Sequence, residues 1–161
     1  IGYRNEFLSA TRGYGILNHT FEEYRPYIAA DIGGRRSGVM VCIENGKSTA
    51  YSIGALEDRG TIFIEPGTDV YEGMIIGECN RDVDLAINAV KGKQLTNMRA
   101  SAKDSTQVLK RPRVFSLEES LTFLNDDEYC EITPESIRLR KKILNKNERE
   151  KADKRRKLGK E

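Results

Sequence analysis

Side chains that bind phosphate are concentrated in one segment of the chain, residues 91–113. This segment contains seven lysines and arginines but a single acid, Asp104. Lysine and arginine neutralise phosphates, while the side chains of Gln94, Asn97 and Arg99 can also address base edges or a ribose 2′-hydroxyl. The composition favours contact with RNA, and charge alone leaves a solvated surface loop open as the alternative.

A second basic segment lies at the end of the chain. Residues 135–161 carry twelve basic and five acidic side chains, whereas the whole chain has a net charge of only +2, so the remainder is acidic. Clustered positive charge favours nucleic-acid contact because each cluster releases several counterions. Beyond Asn145 there is almost no apolar surface, so we expect a disordered tail or a solvated helix until it meets a partner.

The other reactive residue types form no catalytic or metal-binding pattern. His19 has no nucleophile or carboxylate constellation around it in sequence, which favours a structural role. The carboxylates of residues 118–128 have neither the spacing nor the glycine of a calcium loop. Three widely spaced cysteines indicate core positions in a protein of the reducing cytoplasm: Cys42, Cys79 and Cys130. We therefore expect no catalytic residue, metal or cofactor here, and no membrane segment or signal peptide.

The first residues predict the end of an α/β unit. Apolar residues at helical spacing favour a helix over residues 3–11, ended by Arg12 and Gly13. Loose alternation then favours a strand over residues 14–24. Because Ile1 is not an initiator methionine and falls within an apolar pattern, we expect the chain to be a piece of a longer protein.

A glycine-rich stretch, residues 32–38, predicts a linker between domains. Arg35 and Arg36 in this stretch are either solubilising side chains or phosphate contacts, and the sequence does not decide between them.

A strand-rich region follows. Residues 39–44 and 48–53 are predicted to form a hairpin, because the Asn45-Gly46 pair between them is a strong turn signal. Glycines at 73 and 77 indicate tight bends or bulges in a curved sheet. The other elements predicted here are a helical turn at 55–59 capped by Gly60, a strand at 61–64, a turn at Pro66-Gly67, an apolar run at 70–78 and a strand at 84–90.

Another group of elements follows the basic segment. Ser116 and Glu119 form a capping box that begins a helix ending at residues 125–127. Its apolar face is predicted to hold Leu117, Leu121 and Leu124. Residues 129–133 are predicted as a strand, and residues 134–142 are ambiguous, with alternation favouring the return strand of a hairpin. Together the elements predict an α+β fold whose C-terminal domain has a strand-rich, bent or barrel-like sheet with one or two helices.

Two motifs are the most specific in the chain, KQLTNMRAS at residues 93–101 and ITPESIRLRK at residues 132–141. With them the chain resembles the BipA (TypA) family of ribosome-associated translational GTPases. Further matches cover nearly the whole chain: Arg12-Gly13, Asn18-His19, Ala50-Tyr51, residues 57–61, Pro66-Gly67 and residues 70–78. Gly92 departs from the family pattern, which has a lysine there, and this lowers the charge and loosens the segment.

The resemblance implies four parts. They are residues 1–31, the C-terminal part of a unit like domain V of elongation factor G, with the last helix and strand of a ferredoxin-like α/β domain; residues 32–38, a linker; residues 39–144, a BipA-type C-terminal domain with a long basic loop at 91–113; and residues 145–161, a basic tail.

The resemblance also implies a function, ribosome binding in the A site, with the loop contacting rRNA and the acceptor end of tRNA. The loop residues implied are Lys91, Lys93, Gln94, Thr96, Asn97, Arg99 and Ser101, and nearby charge adds Lys103, Lys110 and Arg111. A secondary RNA-binding set is Arg138, Arg140, Lys141 and Lys142. Roles in ribosome assembly and stress response, a cytoplasmic location and no obligate oligomer follow from the same resemblance.

The family resemblance implies GTP and Mg²⁺ for the parent protein only. No Gly-x-x-x-x-Gly-Lys-Ser/Thr loop occurs in this chain, so we expect it neither to bind nor to hydrolyse GTP. The alternative function is a protein-interaction domain whose basic loop binds an acidic protein partner.

Overall fold

The computed structural model describes residues 3–26, 35–92 and 108–157 of the 161-residue chain. Its elements in chain order are α1 (Tyr3–Ala10), β1 (Val39–Cys42), β2 (Gly46–Lys47), α2 (Ala50–Leu56), a 3-10 helix (Glu57–Arg59), β3 (Gly60–Ile62), β4 (Asp69–Val70), β5 (Met74–Cys79), β6 (Leu85–Ile87), α3 (Leu117–Phe123), β7 (Glu128–Ile132), β8 (Ile137–Lys141) and α4 (Lys146–Lys157). This confirms the predicted α+β, strand-rich class.

Strand β5 is the centre of the main sheet. Within the described residues the strand order is β6-β1-β5-β8-β7, and β3 also pairs with β5. Met40 pairs with Gly77 but Val41 pairs with Ile75, so Ile76 is an extra residue that bulges from β5. Strand β8 pairs with β5 before this bulge and β3 pairs with it beyond the bulge. The sheet is therefore bent and open, with the bulge close to Gly77, where the sequence predicts one.

Strand alternation divides the apolar residues between two cores, one on each face of the sheet. Met40 and Cys42 lie in the first core together with Ile53 and Leu56 of α2. The second core contains Val39, Val41, Ile75 and Leu139, with a ring cluster of Phe63, Phe115 and Phe123 packed against them. The rings contact one another at centroid distances of 4.7–5.5 Å. Such pairs contribute about 0.5–1.5 kcal/mol each beyond area burial.

The end of α1 is confirmed, whereas the strand predicted after it is not. Arg12 and Gly13 both have positive φ, 52° and 81°, and the Gly13 amide donates to the Leu8 carbonyl at 2.7 Å. Residues 14–26 contain no strand, and Tyr14 and Tyr24 are at least 90% exposed. Alternation favours extended backbone, but a strand also needs a partner for its hydrogen bonds, and no strand among the described residues pairs with residues 14–26.

The hairpin predicted for residues 39–53 is wrong. Its second half is the helix α2, which begins because the Thr49 side chain accepts a hydrogen bond from the Ser52 amide at 3.1 Å. Strand β1 pairs with β5 and β6, and β2 pairs with β4. Long-range pairing and a helix cap therefore override the local Asn-Gly signal.

Helix α3 begins at the predicted capping box but buries a different face. The Ser116 hydroxyl accepts from the Glu119 amide at 3.2 Å, and the Glu119 carboxylate accepts from the Ser116 amide at 2.9 Å. Of the three leucines predicted for the apolar face, Leu117 and Leu121 are exposed and Leu124 packs against the second core, while Ser120 is buried and Phe123 joins the ring cluster. A short helix can bury any of its faces. Here the buried face is determined by the contacts of Phe123 with the Phe63 and Phe115 rings.

The last elements settle what the sequence left ambiguous. Strands β7 and β8 form the hairpin favoured by alternation, with Ile132 opposite Ile137. The tail forms the helix α4, whose first turn is held by the Asn145 side chain accepting from the Asn147 amide.

Cys42 and Cys79 are buried and Cys130 is partly buried, all with free thiols, as predicted. Within the ranges the structure describes, every helix is too short or too polar to span a bilayer.

Candidate nucleic-acid interface

The first end of the basic segment 91–113 is fixed to the beginning of α2. The carbonyl of Lys91 accepts hydrogen bonds from the Thr49 and Ser52 hydroxyls, both at 2.7 Å. Asn88 adds a turn, since its side-chain oxygen accepts from the amides of Val90 and Lys91 at 2.9 and 3.0 Å. The backbone of Lys91 is thus held in place while the residue is exposed.

The second end is fixed on the 3-10 helix and β3. The Lys110 amide donates to the Glu57 carboxylate at 2.6 Å, and the Arg113 amide donates to the Ile62 carbonyl at 2.8 Å. Leu109 packs against the first core. Lys110 and Arg111 are both exposed. These two exposed cations therefore lie where the second end of the segment is attached to the domain.

Arg113 differs from its neighbours because it has partners within the domain. Its guanidinium lies over the Phe115 ring at 4.5 Å, and Nη1 is 3.7 Å from the Glu78 carboxylate. This cation helps to dock the segment onto the second core.

The two anchors lie at opposite ends of one short helical unit. Thr49 precedes α2 and Glu57 follows it, a separation of roughly 12 Å along a helix axis. Lys91 and Lys110, at the two described ends of the segment, therefore lie on the same flank of the domain. Residues 93–107 lie outside the described residues, and with them these predicted contacts: Lys93, Gln94, Thr96, Asn97, Arg99, Ser101 and Lys103.

The secondary set is divided by strand alternation in the β7–β8 hairpin. Arg140 is opposite Tyr129 and Arg138 is opposite Glu131, whereas Lys141 is opposite Glu128. Successive side chains of a strand point to opposite faces, so Arg138 and Arg140 share one face and Lys141 lies on the other. Lys142, just beyond β8, is exposed.

Lys141 is buried, with only 3% of its surface exposed. Its Nζ lies 2.6 Å from Asp84, 2.7 Å from Asp127 and 2.9 Å from Glu128. Burial alone would lower the pKa of Lys141, but the hydrogen bonds that its ammonium donates to the Asp127 and Asp84 carboxylates, together with the charge of Glu128, raise it above its ordinary value. Among the four residues of the secondary set, Lys141 is therefore a buried ion-pair residue. It links β8 to Glu128 of β7 and to Asp84, which directly precedes β6.

The same network contains Arg35, which the sequence leaves as either a solubilising side chain or a phosphate contact. The structure assigns it neither role: it pairs with Glu128 through two hydrogen bonds of 2.7 and 3.1 Å. Its Nε donates to the Ser37 carbonyl at 2.7 Å, and the guanidinium lies 4.3 Å from the centre of the Phe123 ring. Sequence reasoning missed this pair because Glu128 is far away in the chain. Arg36 is exposed.

Helix α4 separates the charges of the basic tail onto two sides. Its first turn is anchored, because the Lys146 amide donates to Glu72 at 2.8 Å and the Arg149 guanidinium donates to the carbonyls of Ile143 and Leu144. Burial lowers the pKa of Arg149 from its ordinary value. A cleft of about 310 Å³ lies beneath this face of the helix. Three exposed cations share the other side at helical spacing: Lys151, Lys154 and Arg155.

The described residues contain no group of three or more His, Cys, Asp and Glu side chains placed to hold a metal ion. The described ends of the basic segment instead present exposed cations, Lys91, Lys110 and Arg111.

Comparison with known proteins assigns the family. The family model described as the TypA/BipA C-terminal domain matches residues 37–146. The chain belongs to the TypA/BipA family. The matched range of this TypA/BipA domain includes both anchors, the whole basic segment and the β7–β8 hairpin. Helix α1 and nearly all of α4 lie outside it.

Curated relatives carry the same name, "Large ribosomal subunit assembly factor BipA". The protein of Bacillus subtilis is 66% identical over 159 residues, which is 99% of this chain and 26% of the relative. The Synechocystis protein is 51% identical over 88% of this chain, and the Haemophilus influenzae protein is 45% identical over 95%. The chain spans about a quarter of the length of these BipA proteins.

Proposed function

We propose that this chain is the C-terminal ribosome-binding region of a BipA-type factor and that its basic loop contacts rRNA and the acceptor end of tRNA in the A site. The observation that carries the proposal is the pair of anchors at Lys91 and Lys110, which fix both ends of a strongly basic segment on one flank. The relatives' shared name, large ribosomal subunit assembly factor, supports the ribosome as the partner.

The anchors favour binding for a thermodynamic reason. A loop whose ends are already held loses less conformational entropy when it contacts a partner than a free terminus does. Loops positioned by a rigid scaffold are also where proteins most often place binding residues. The hydroxyls of Thr49 and Ser52 and the carboxylate of Glu57 therefore serve binding indirectly, by holding the ends of the loop.

Different parts of the surface have different roles in this proposal. Lys91, Lys110 and Arg111 at the base of the loop neutralise phosphates without reading sequence. Asn97 and Arg99 contact base edges or the 2′-hydroxyl, which distinguishes RNA from DNA. The outer cations of α4 contact rRNA phosphates, and these contacts do not depend on the base sequence. In the longer protein, GTP is bound by parts other than this chain, and the site of action is the cytoplasmic ribosome.

The central test is co-sedimentation of the chain with ribosomes over a salt series. We expect a log–log slope with a magnitude of about 3 to 7, which corresponds to about four to eight neutralised phosphates. Binding that is insensitive to salt would contradict the electrostatic part of the proposal. Polyglutamate of matched charge tests the alternative partner, because equal competition by polyglutamate and RNA would favour an acidic protein.

Two sets of variants test the division of roles. Arg99→Ala and Asn97→Ala should weaken ribosome binding with no change in folding, whereas combined Lys151→Ala, Lys154→Ala and Arg155→Ala should weaken binding to many RNAs alike and flatten the salt slope. Arg99→Lys keeps the charge but loses the planar fork, so a further loss indicates bidentate or stacking recognition. If the loop variants bind like the parent chain and the helix variant does not, the loop is only a spacer.

A further inference from the structure

The outward face of the β7–β8 hairpin carries an aromatic ring between cations. Tyr129 is 47% exposed. Its ring centre lies 5.2 Å from the Arg140 guanidinium carbon and 5.0 Å from the Lys142 ammonium. Neither of the two cores in the described part of the chain includes this ring. A large aromatic side chain is therefore held at the surface, although full burial of its ring would contribute more to the stability of the fold.

The surroundings of Tyr129 are ordered. Arg140 Nε lies 2.6 Å from the Glu131 carboxylate, and the Tyr71 hydroxyl donates to the same carboxylate at 2.6 Å. Burial, followed by the hydrogen bond to Glu131, raises the pKa of Tyr71, so this hydroxyl stays protonated. Across the hairpin, Cys130 and Leu139 pack into the second core and fix the opposite face. Tyr129 thus stands on a rigid strand pair.

The charge of this face suits an anion. Its cations are Arg138, Arg140 and Lys142, and its carboxylate, Glu131, already has two partners. Lys141 contributes nothing here because it points to the buried side. Single-stranded RNA is commonly bound by stacking on a sheet surface that presents an exposed aromatic side chain and flanking cations, with bases on the ring and phosphates on the cations.

We propose that Tyr129 is a stacking platform for one unpaired base of RNA, with Arg138 and Lys142 binding the phosphates on either side of that nucleotide. The proposal rests on the proposed function for its partner, RNA, but it concerns a surface separate from the basic loop. Arg140 is a positioning residue, since its pairing with Glu131 holds its guanidinium over the ring.

Fluorescence gives a direct test, because the chain contains no tryptophan. Tyr129→Trp introduces a single reporter at the proposed platform, and Tyr14→Trp places a matched reporter at a 90% exposed tyrosine elsewhere. Titration with a single-stranded oligoribonucleotide should quench the first reporter strongly and the second weakly. An abasic oligomer of equal charge should quench neither. Equal quenching by the abasic oligomer would show that only the backbone is bound there and would overturn the proposal.

Affinity measurements make the test independent of the reporter. Tyr129→Phe should bind the oligoribonucleotide like the parent chain, while Tyr129→Leu and Tyr129→Ala should bind at least about fivefold more weakly. Circular dichroism and urea midpoints check that the variants are folded. If the parent chain binds RNA and Tyr129→Leu binds equally well, this proposal fails while the proposed function stands. If the parent chain binds no RNA, both fail.

Discussion

Lys141 and Lys142 are neighbours in the sequence with opposite environments. One is buried among three carboxylates, and the other is exposed beside the Tyr129 ring. The difference arises because successive side chains of a strand point to opposite faces. A basic run such as residues 138–142 therefore combines a structural ion pair with surface cations that remain available to a partner.

The first residue-scale prediction compares the same substitution at both positions. Lys141→Met should lower the free energy of unfolding by about 2 kcal/mol or more, because it removes the buried ammonium that pairs with Asp84, Asp127 and Glu128 and leaves the buried Glu128 carboxylate with Arg35 as its cation. Lys142→Met should change it by no more than about 0.5 kcal/mol, since that side chain is exposed. Urea unfolding followed by circular dichroism measures both.

The two variants should reverse their order in RNA binding. Lys142→Met should weaken binding by removing an exposed cation, and Lys141→Met, under conditions where it is folded, should bind like the parent chain. Equal losses of stability at the two positions would mean that the network around Lys141 contributes little to the fold.

At the scale of elements, short helices are defined here by their first turns. Helices α2 and α3 have seven residues each, and both begin at a side chain that caps the helix, Thr49 and Ser116. An isolated helix of this length is not stable in water, so capping and packing must supply what length does not. In α2 the capping residue has a second task, since the Thr49 hydroxyl also donates to the Lys91 carbonyl at the base of the loop.

The capping box of α3 predicts a pH dependence of stability. The hydrogen bond from the Ser116 amide lowers the pKa of Glu119 from its ordinary value of 4.5. A carboxylate whose pKa is lower in the folded state stabilises the protein above its unfolded pKa, and this stabilisation is lost as the pH falls through the folded value. Stability should therefore fall with Glu119 protonation in acid, below about pH 4.5.

Glu119→Gln isolates this contribution. Glutamine keeps an acceptor for the Ser116 amide but does not titrate, so the free energy of unfolding at pH 7 should stay within about 1 kcal/mol of that of the parent chain. Between pH 5 and pH 3 this free energy should fall less steeply than that of the parent chain. Glu118→Gln is the matched control, because its side chain lies outside the capping box. A parallel decline in both variants would contradict the role of Glu119.

On the scale of the whole molecule, the bulge in β5 determines where the two candidate binding surfaces lie. It allows β3 and β8 to share one edge of β5. Helix α2, the 3-10 helix and β3 then hold the ends of the basic loop, while β8 holds the hairpin with Tyr129. Two candidate RNA-binding surfaces are thus mounted on one bent sheet.

The chain by itself should not bind GTP. Its sequence has no Gly-x-x-x-x-Gly-Lys-Ser/Thr loop, whose backbone amides would cradle the phosphates. Isothermal titration calorimetry with GTP and Mg²⁺ should give no binding heat, and ribosome co-sedimentation should be the same with and without GTP. Saturable heat of GTP binding would contradict this prediction, and the same titration with RNA serves as the positive control.

Local signals predicted those features that depend on neighbouring residues. Arg12-Gly13 predicted the end of α1, Ser116 with Glu119 predicted the capping box, and alternation predicted the β7–β8 hairpin, because caps and tight hairpins are stabilised within a few residues. The charge of residues 91–113 predicts an RNA-binding loop, which stays a prediction. These features needed no information about distant parts of the chain.

The tertiary structure decided whatever depends on partners far apart in the chain. Residues 50–53, predicted as part of a strand, lie in helix α2, because β1 pairs with β5 and β6 instead of a local hairpin partner. Sequence alone predicts Arg35, Lys141 and Glu128 as surface charges. In the structure Arg35 and Lys141 are buried because both form ion pairs with the buried Glu128 carboxylate. Burying a charge is favourable only when its counterions are already in place, and the fold alone brings them together.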